Sequence, residues 1–225
     1  MKLYCSPGAC SLSTHIVARE SGITLQLEKV DLQDKRTASG ADFYQINSKG
    51  LVPALALDNG EILTEAPVIM QYLADLKPEC GLVPAHGTFT RYRLQEMLGF
   101  LSSEVHKSYS PLFNPSTTDT VRSECKDRLH RHYAWLEKIL ARQPWLVGQR
   151  FTAADAYLFT LTNWANYFGI VLSEFIAISV FQQRVASRPH VQAALEAESL
   201  SRVAQDAAER LARAGGTAKR ARAPE

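Results

Sequence analysis

Charge of one sign is what this sequence lacks most. Its 225 residues carry 25 Lys and Arg against 23 Asp and Glu, a formal charge of +2. That balance makes no general case for a nucleic-acid partner, which calls for a strong basic footprint. Cysteine is scarce too. The four, Cys5, Cys10, Cys80 and Cys125, form no CxxC pair, and no His–Cys cluster has the spacing of a zinc site, so no metal is expected. Long hydrophobic runs are also missing. The nearest approach is Ala156 to Ser173, which carries no charge. Thr160, Thr162, Asn163, Asn166 and Gly169 interrupt it and Asp155 heads it, so it reads as a helix in a protein core and not as a membrane span. The N-terminus meets Pro7 and Gly8 before an apolar leader core can form. A cytoplasmic protein with reduced thiols is the expectation.

What is present is globular. With 46% hydrophobic and 21% charged residues, wholesale disorder is excluded. The length suits one large domain or two small ones, with a core that needs no staples. The charge is uneven at one end: Arg202 to Glu225 holds six basic and three acidic residues. That tail reads as a solvated, Ala-rich extension.

The first part alternates short strands and helices. Lys2 to Cys5 reads as a strand, and Ser11 to Glu20 as a helix with Leu12, Ile16 and Val17 on one face. Leu25 to Val30 is a second strand, followed by a polar stretch and a short helical piece around Asp42 to Ile46. Val52 to Leu57 and Glu61 to Leu63 are strands joined by Asp58-Asn59-Gly60, where Asn-Gly suits a type I′ turn. Pro67 fits the first turn of a helix running to Leu76. The order is β-α-β-α-β-β-α. Pro78, Gly81, Pro84 and Gly87 punctuate a linker. Beyond it the chain reads as helical: Phe89 to about Tyr109, Val121 to Leu140, a helix started by Thr152 with Asp155 reaching back to it, and Val191 to Glu198. The chain thus divides into an α/β unit over 1–80, a linker over 81–87, an all-helical unit over 88–200 and a basic tail over 201–225.

Several residues could carry chemistry. Cys10 lies between a strand and a helix start, where amide donors and the helix dipole favour a thiolate, and Ser11 adds a hydroxyl beside it. As a bare residue it reads equally well as a small buried filler. Val52-Pro53 places a proline at a strand entry, with a trans bond expected on base rates. Glu65-Ala66 precedes Pro67 at a helix start. Amides there could hold a carboxylate and Glu65 an ammonium, although acidic residues are ordinary in a first turn. On the first long helix, Gly99, Ser103, His106 and Lys107 share one face at offsets 0, 4, 7 and 8, with Glu104 beside them. A His–Lys pair aimed at a cleft could hydrogen-bond a thiol or thiolate, where a lone helical His is more often a surface residue.

The ordered set resembles the cytosolic glutathione S-transferases, the bacterial beta class in particular. It comprises Cys10-Ser11, Gly50-Leu51-Val52-Pro53-Ala54-Leu55, Leu63-Thr64-Glu65-Ala66, Ile69-Met70-Gln71-Tyr72-Leu73, Glu104-Val105-His106-Lys107 and Phe151 to Asp155. The resemblance covers about residues 1 to 200. It implies a thioredoxin-like N-terminal domain, an all-helical C-terminal domain, a glutathione site between them and a homodimer. It further implies a cis Val52-Pro53 bond that turns Val52 toward the glutathione backbone. Glu65 and Ala66 would hold the γ-glutamyl end and Lys35 the glycyl carboxylate. Cys10, His106 and Lys107 would surround the sulfur, with Ser103 and Glu104 as further contacts. Gly99 departs from the Asn common in beta-class relatives.

The function implied is conjugation of the glutathione thiol to a hydrophobic electrophile, with glutathione as co-substrate, no other cofactor, and Cys10, Ser11 and His106 at the reacting sulfur. Cys10 adds thiol–disulfide exchange as a possibility. A glutathione-dependent disulfide reductase or peroxidase and a non-catalytic binder of hydrophobic ligands stand as alternatives. The second substrate would meet Pro7, Gly8, Tyr109, Leu112, Phe113 and the neighbourhood of Trp164 and Tyr167.

Overall fold

The computed structural model describes residues 1–200. The basic tail over 201–225 lies outside them.

Alternation builds the sheet. In β1 (Lys2–Cys5) Leu3 and Cys5 are buried while Lys2 and Tyr4 are less so. β1 pairs in parallel with β2 (Gln26–Asp31) and antiparallel with β4 (Ala54–Ala56). β2 carries the two-residue β3 (Arg36–Thr37), and β4 carries β5 (Ile62–Thr64), both antiparallel. The order across the sheet is β3-β2-β1-β4-β5. α1 (Ser11–Glu20) and α2 (Ala66–Asp75) pack against each other and bury Leu12, Ile16, Val17, Ile69, Met70 and Leu73. A smaller cluster of Val30, Phe43, Val52 and Ala54 forms a second core.

The helical part is α3 (Phe89–Phe100), α4 (Lys107–Tyr109), α5 (Asp119–Leu140), α6 (Ala153–Asn163), α7 (Ile176–Ala186) and α8 (Pro189–Ala197). α6 and α8 pack on α1, so one continuous core joins the sheet domain to the helices. Only the first half of the charge-free stretch lies in α6, buried almost throughout; the rest is a 3-10 turn, Ala165–Phe168, ended by Gly169 in the left-handed region, and a loop. No helix among the described residues is long and apolar enough to cross a membrane. At the start of α6, Asp155 accepts the Thr152 N–H at 2.8 Å, the reach-back read from the sequence.

Four local expectations need correction. The Asp58-Asn59-Gly60 hairpin is not a two-residue type I′ turn. Gly60 alone of the three takes a positive φ (88°), and Leu57 pairs with Glu61 across a three-residue loop. The second helical piece is only a 3-10 turn, Phe43–Gln45, started by the Asp42 carboxylate accepting the Tyr44 N–H at 3.0 Å. β3 went unread because two residues show no alternation. The first long helix is not uniform: a π-helical turn, Leu101–His106, joins α3 to α4.

Candidate active site

Cys10 stands at the end of the loop between β1 and α1. Its thiol donates to the Val52 carbonyl at 3.2 Å. The N–H groups of Cys10 and Ser11 do favour its thiolate, as the helix start predicts. Burial acts more strongly, however, and pushes the thiol up to about 12, with the Glu65 carboxylate acting in the same direction. Of the two readings of Cys10, this favours the buried thiol over the thiolate. Ser11 also departs from expectation. Its side chain is fully buried and turned into the loop, accepting the Ser6 N–H and donating to the Ser6 carbonyl, both at 3.2 Å. It braces the loop instead of facing the sulfur.

The Val52–Pro53 peptide is cis, as the resemblance implied and against the base rate. Both residues are buried, and the Val52 carbonyl faces Cys10. Glu65 precedes α2 with φ 71°. Its carboxylate receives the ammonium of Lys49, which also donates to Thr64 Oγ1 at 2.8 Å. Lys49 was not read from the sequence, but it occupies Glu65 as an ammonium ligand would. In the first turn of α2, Pro67 has no N–H, and the Val68 and Ile69 amides return to the Glu65 carbonyl at 3.0 and 2.9 Å. The Ala66 N–H is left without a helical acceptor. Lys35, with φ 54°, donates to the Gly50 carbonyl at 3.0 Å.

The helix-face stripe does not survive intact. A π turn carries one residue more than an α turn and rotates the residues after it by about 100°. Gly99, Ser103, Glu104 and Lys107 are exposed, whereas His106 is partly buried. Among the described residues no hydrogen bond ties Gly99, Ser103 or Glu104 to Cys10. Ser103 donates to Glu104 at 3.3 Å, and the Glu104 carboxylate acts on His132 of α5. His106 turns toward α6. Its Nδ1 lies 2.7 Å from the Tyr157 hydroxyl, and its ring meets Trp164 edge-on at 5.0 Å. Burial, followed by the Lys107 charge, lowers His106 to about 4, with Glu65 acting in opposition. Cys10 and Glu65 both act electrostatically on Tyr157 as well. Cys10, Glu65, His106 and Tyr157 therefore lie within reach of one another's charge.

Long-range contacts hold this cluster. Trp164 Nε1 donates to the Gly8 carbonyl at 2.8 Å, and the buried Glu198 accepts the Gly8 N–H at 2.9 Å. Glu198 also meets His15 Nδ1 at 2.9 Å. The helical domain thus grips the loop that presents Cys10. None of these partners carries a local pattern. A tyrosine in an apolar stretch does demand a hydroxyl partner, and that signal could have found Tyr157. Of the residues expected to meet a second substrate, Tyr109 and Leu112 are buried, and Tyr109 bonds Tyr133 at 2.6 Å. Phe113 and Tyr167 are exposed.

A thioredoxin-like sheet domain, a helical domain packed on its first helix, and a cysteine at the junction define a class of thiol-handling proteins. Comparison with known proteins narrows it. The glutathione S-transferase N-terminal domain matches residues 8–76, and the C-terminal domain of the same family matches residues 100–189. Glutathione S-transferase GstA of Escherichia coli O157:H7 is 44% identical over 200 residues, 89% of this chain and 100% of that protein. A sphingomonad glutathione S-transferase complexed with glutathione superimposes with a TM-score of 0.87 at 46% identity, covering 89% of this chain and 100% of that one. The beta-class glutathione S-transferase of Sphingomonas chungbukensis does so with a TM-score of 0.87 at 44% identity and the same coverage. The chain belongs to the glutathione S-transferase family.

Proposed function

We propose that the protein is a cytoplasmic, homodimeric glutathione transferase that joins glutathione to a hydrophobic electrophile, with no other cofactor. Its site is the cleft between a domain over residues 1–80 and one over 88–200, with 81–87 as the linker. The observation that carries this is the gathering of the Val52 carbonyl and Glu65 about Cys10, with Tyr157 near enough to feel the Cys10 charge and bonded to His106. The glutathione bound to the sphingomonad relative supports the ligand.

In this reading Val52 pairs with the cysteinyl backbone of glutathione as an added strand, beside the buried Pro53. Glu65 takes the γ-glutamyl ammonium in the place of Lys49, and the Ala66 N–H takes the neighbouring carboxylate. Lys35 exchanges the Gly50 carbonyl for the glycyl carboxylate, and Lys107 adds positive potential. Gly99, Ser103 and Glu104 stand apart from this cluster within one chain. The glutathione S–H releases its proton to water. The thiolate is stabilised by a hydrogen bond from His106, which is too weak a base at about 4 to take the proton itself. The sulfur then bonds to the electrophilic carbon, and the displaced group leaves with its electron pair. Exposed Phe113 and Tyr167 supply apolar surface for the acceptor. Phe89 and Tyr92 of α3, 70% and 59% exposed, supply surface for a second copy.

Conjugation is favoured over exchange because a thiol raised to about 12 is ionised to only about one part in 10^5 at pH 7. Glu65→Ala should raise the glutathione KM roughly ten- to a hundredfold, the loss of one charged hydrogen bond. An unchanged KM in a folded variant removes Glu65 from the site.

A further inference from the structure

The proposed mechanism asks His106 to donate a hydrogen to a thiolate, and a neutral imidazole has only one hydrogen to offer. Which nitrogen carries it depends on Tyr157. This residue is 1% exposed. Among the described residues, its hydroxyl makes one hydrogen bond, to His106 Nδ1 at 2.7 Å. The nearby Ser102 hydroxyl acts on it as a donor would, favouring the phenolate, but supplies no acceptor in hydrogen-bond geometry. Burial outweighs that and holds the phenol well above its ordinary value, so it keeps its proton. A buried O–H is costly to leave without an acceptor. If Nδ1 carried the hydrogen and donated to Tyr157, the phenolic O–H would be left with no acceptor but Ser102 Oγ, which is outside hydrogen-bond geometry. The phenol must therefore donate to Nδ1, and the imidazole hydrogen sits on Nε2. Nε2 makes no hydrogen bond among the described residues and is not one of their buried unpartnered atoms, so it keeps access to solvent and is free to donate.

We propose that Tyr157 is a positioning residue that fixes His106 as the Nε2–H tautomer and so makes it a donor toward the glutathione sulfur. This rests on the conjugation reading of the cleft. The other tautomer would aim a lone pair at the thiolate and oppose its formation. The π turn belongs to the same device, because it swings His106 from the exposed stripe onto α6. Trp164, edge-on to the ring at 5.0 Å, holds its plane.

The test is a double-mutant cycle with Tyr157→Phe, His106→Ala and both together. Each protein is assayed for kcat and glutathione KM on an activated aryl chloride. The thiol pKa of bound glutathione is read from thiolate absorbance. Tyr157→Phe should lower kcat about tenfold, raise the bound-thiol pKa by about one unit and move KM less than about twofold. In the His106→Ala background it should change nothing further. Ring-nitrogen NMR of the unsubstituted enzyme should show hydrogen on Nε2 and a bare Nδ1, a readout independent of any variant. Hydrogen on Nδ1, or an undiminished Tyr157→Phe effect without His106, overturns the proposal. A silent Tyr157→Phe beside a damaging His106→Ala overturns this inference alone. A silent His106→Ala in an enzyme that still binds glutathione overturns the role of His106 along with it.

Discussion

At the start of α1 a thiol, Cys10, and at the start of α6 a carboxylate, Asp155, both lie against first-turn amides, yet they end in opposite charge states. Asp155 is fully buried and receives the Leu146 N–H, the Thr152 N–H and the Thr152 hydroxyl, each at 2.8 Å. Burial still raises it to about 6, which leaves it mostly ionised at neutral pH. Cys10 has the same helix-start field and two N–H groups, but burial takes it to about 12. The difference lies in the group. A carboxylate starts far below neutrality and has two compact oxygens that accept three donors. A thiolate starts near 9.0 and, as a diffuse acceptor, gains less from each one. A helix N-terminus therefore does not by itself make a reactive cysteine.

The sharpest way to break this contrast is to measure Cys10 directly. Its thiolate fraction at pH 7 should be about a thousandfold below that of an unperturbed thiol, from a rise of 9.0 to about 12. Alkylation by iodoacetamide, followed at the Cys10 peptide by mass spectrometry, should show no inflection below about pH 10. An inflection near neutrality would mean that the helix start wins at α1 after all. In keeping with this, Cys10→Ala should retain substantial conjugating activity, and the unsubstituted protein should gain no glutathione adduct at Cys10 at pH 7, checked by kinetics and intact mass.

The next effect belongs to Asp155. Between 3.8 and about 6 the folded protein holds a proton there that the unfolded chain has released. Stability from this group is complete below about 3.8 and is lost as pH rises through about 6. Asp155→Asn cannot titrate, so the stability change between pH 4 and 6.5 should shrink by about 2 kcal/mol in urea unfolding. An unaltered slope would show that the three donors outweigh burial.

Smallest is Thr152→Val, which keeps the shape and removes one donor from the carboxylate. It should cost about 1.5 kcal/mol in urea unfolding and raise Asp155 further, bringing it closer to the behaviour of Cys10. No loss of stability would mean that the two backbone amides alone hold the carboxylate.

Much of the fold was legible because its signals are local. Ser11 to Glu20 is the helix that was read, and the four strands that were read fall within about two residues of expectation. The pair Thr152 and Asp155, three residues apart, marked the start of α6. α7 was not singled out, and its exposed Ile176 and Val180 blur the apolar stripe that would mark it. The hairpin differed from its reading because Asn-Gly permits two loop lengths. At the site, residue types and order were legible from the family resemblance, but the local physics of Cys10 pointed the wrong way.

The sequence by itself determined where helices and strands begin, which faces they bury, and which family the ordered motifs resemble. Those features arise from contacts within three or four positions and from alternation along a strand. Only the tertiary structure decided the charge state of Cys10, the inward turn of Ser11, the occupation of Glu65 by Lys49 and the link from His106 to Tyr157. His106 and Tyr157 are 51 positions apart, and Gly8 and Glu198 are 190 apart. Desolvation depends on everything packed around a group, and no window of sequence contains that surrounding.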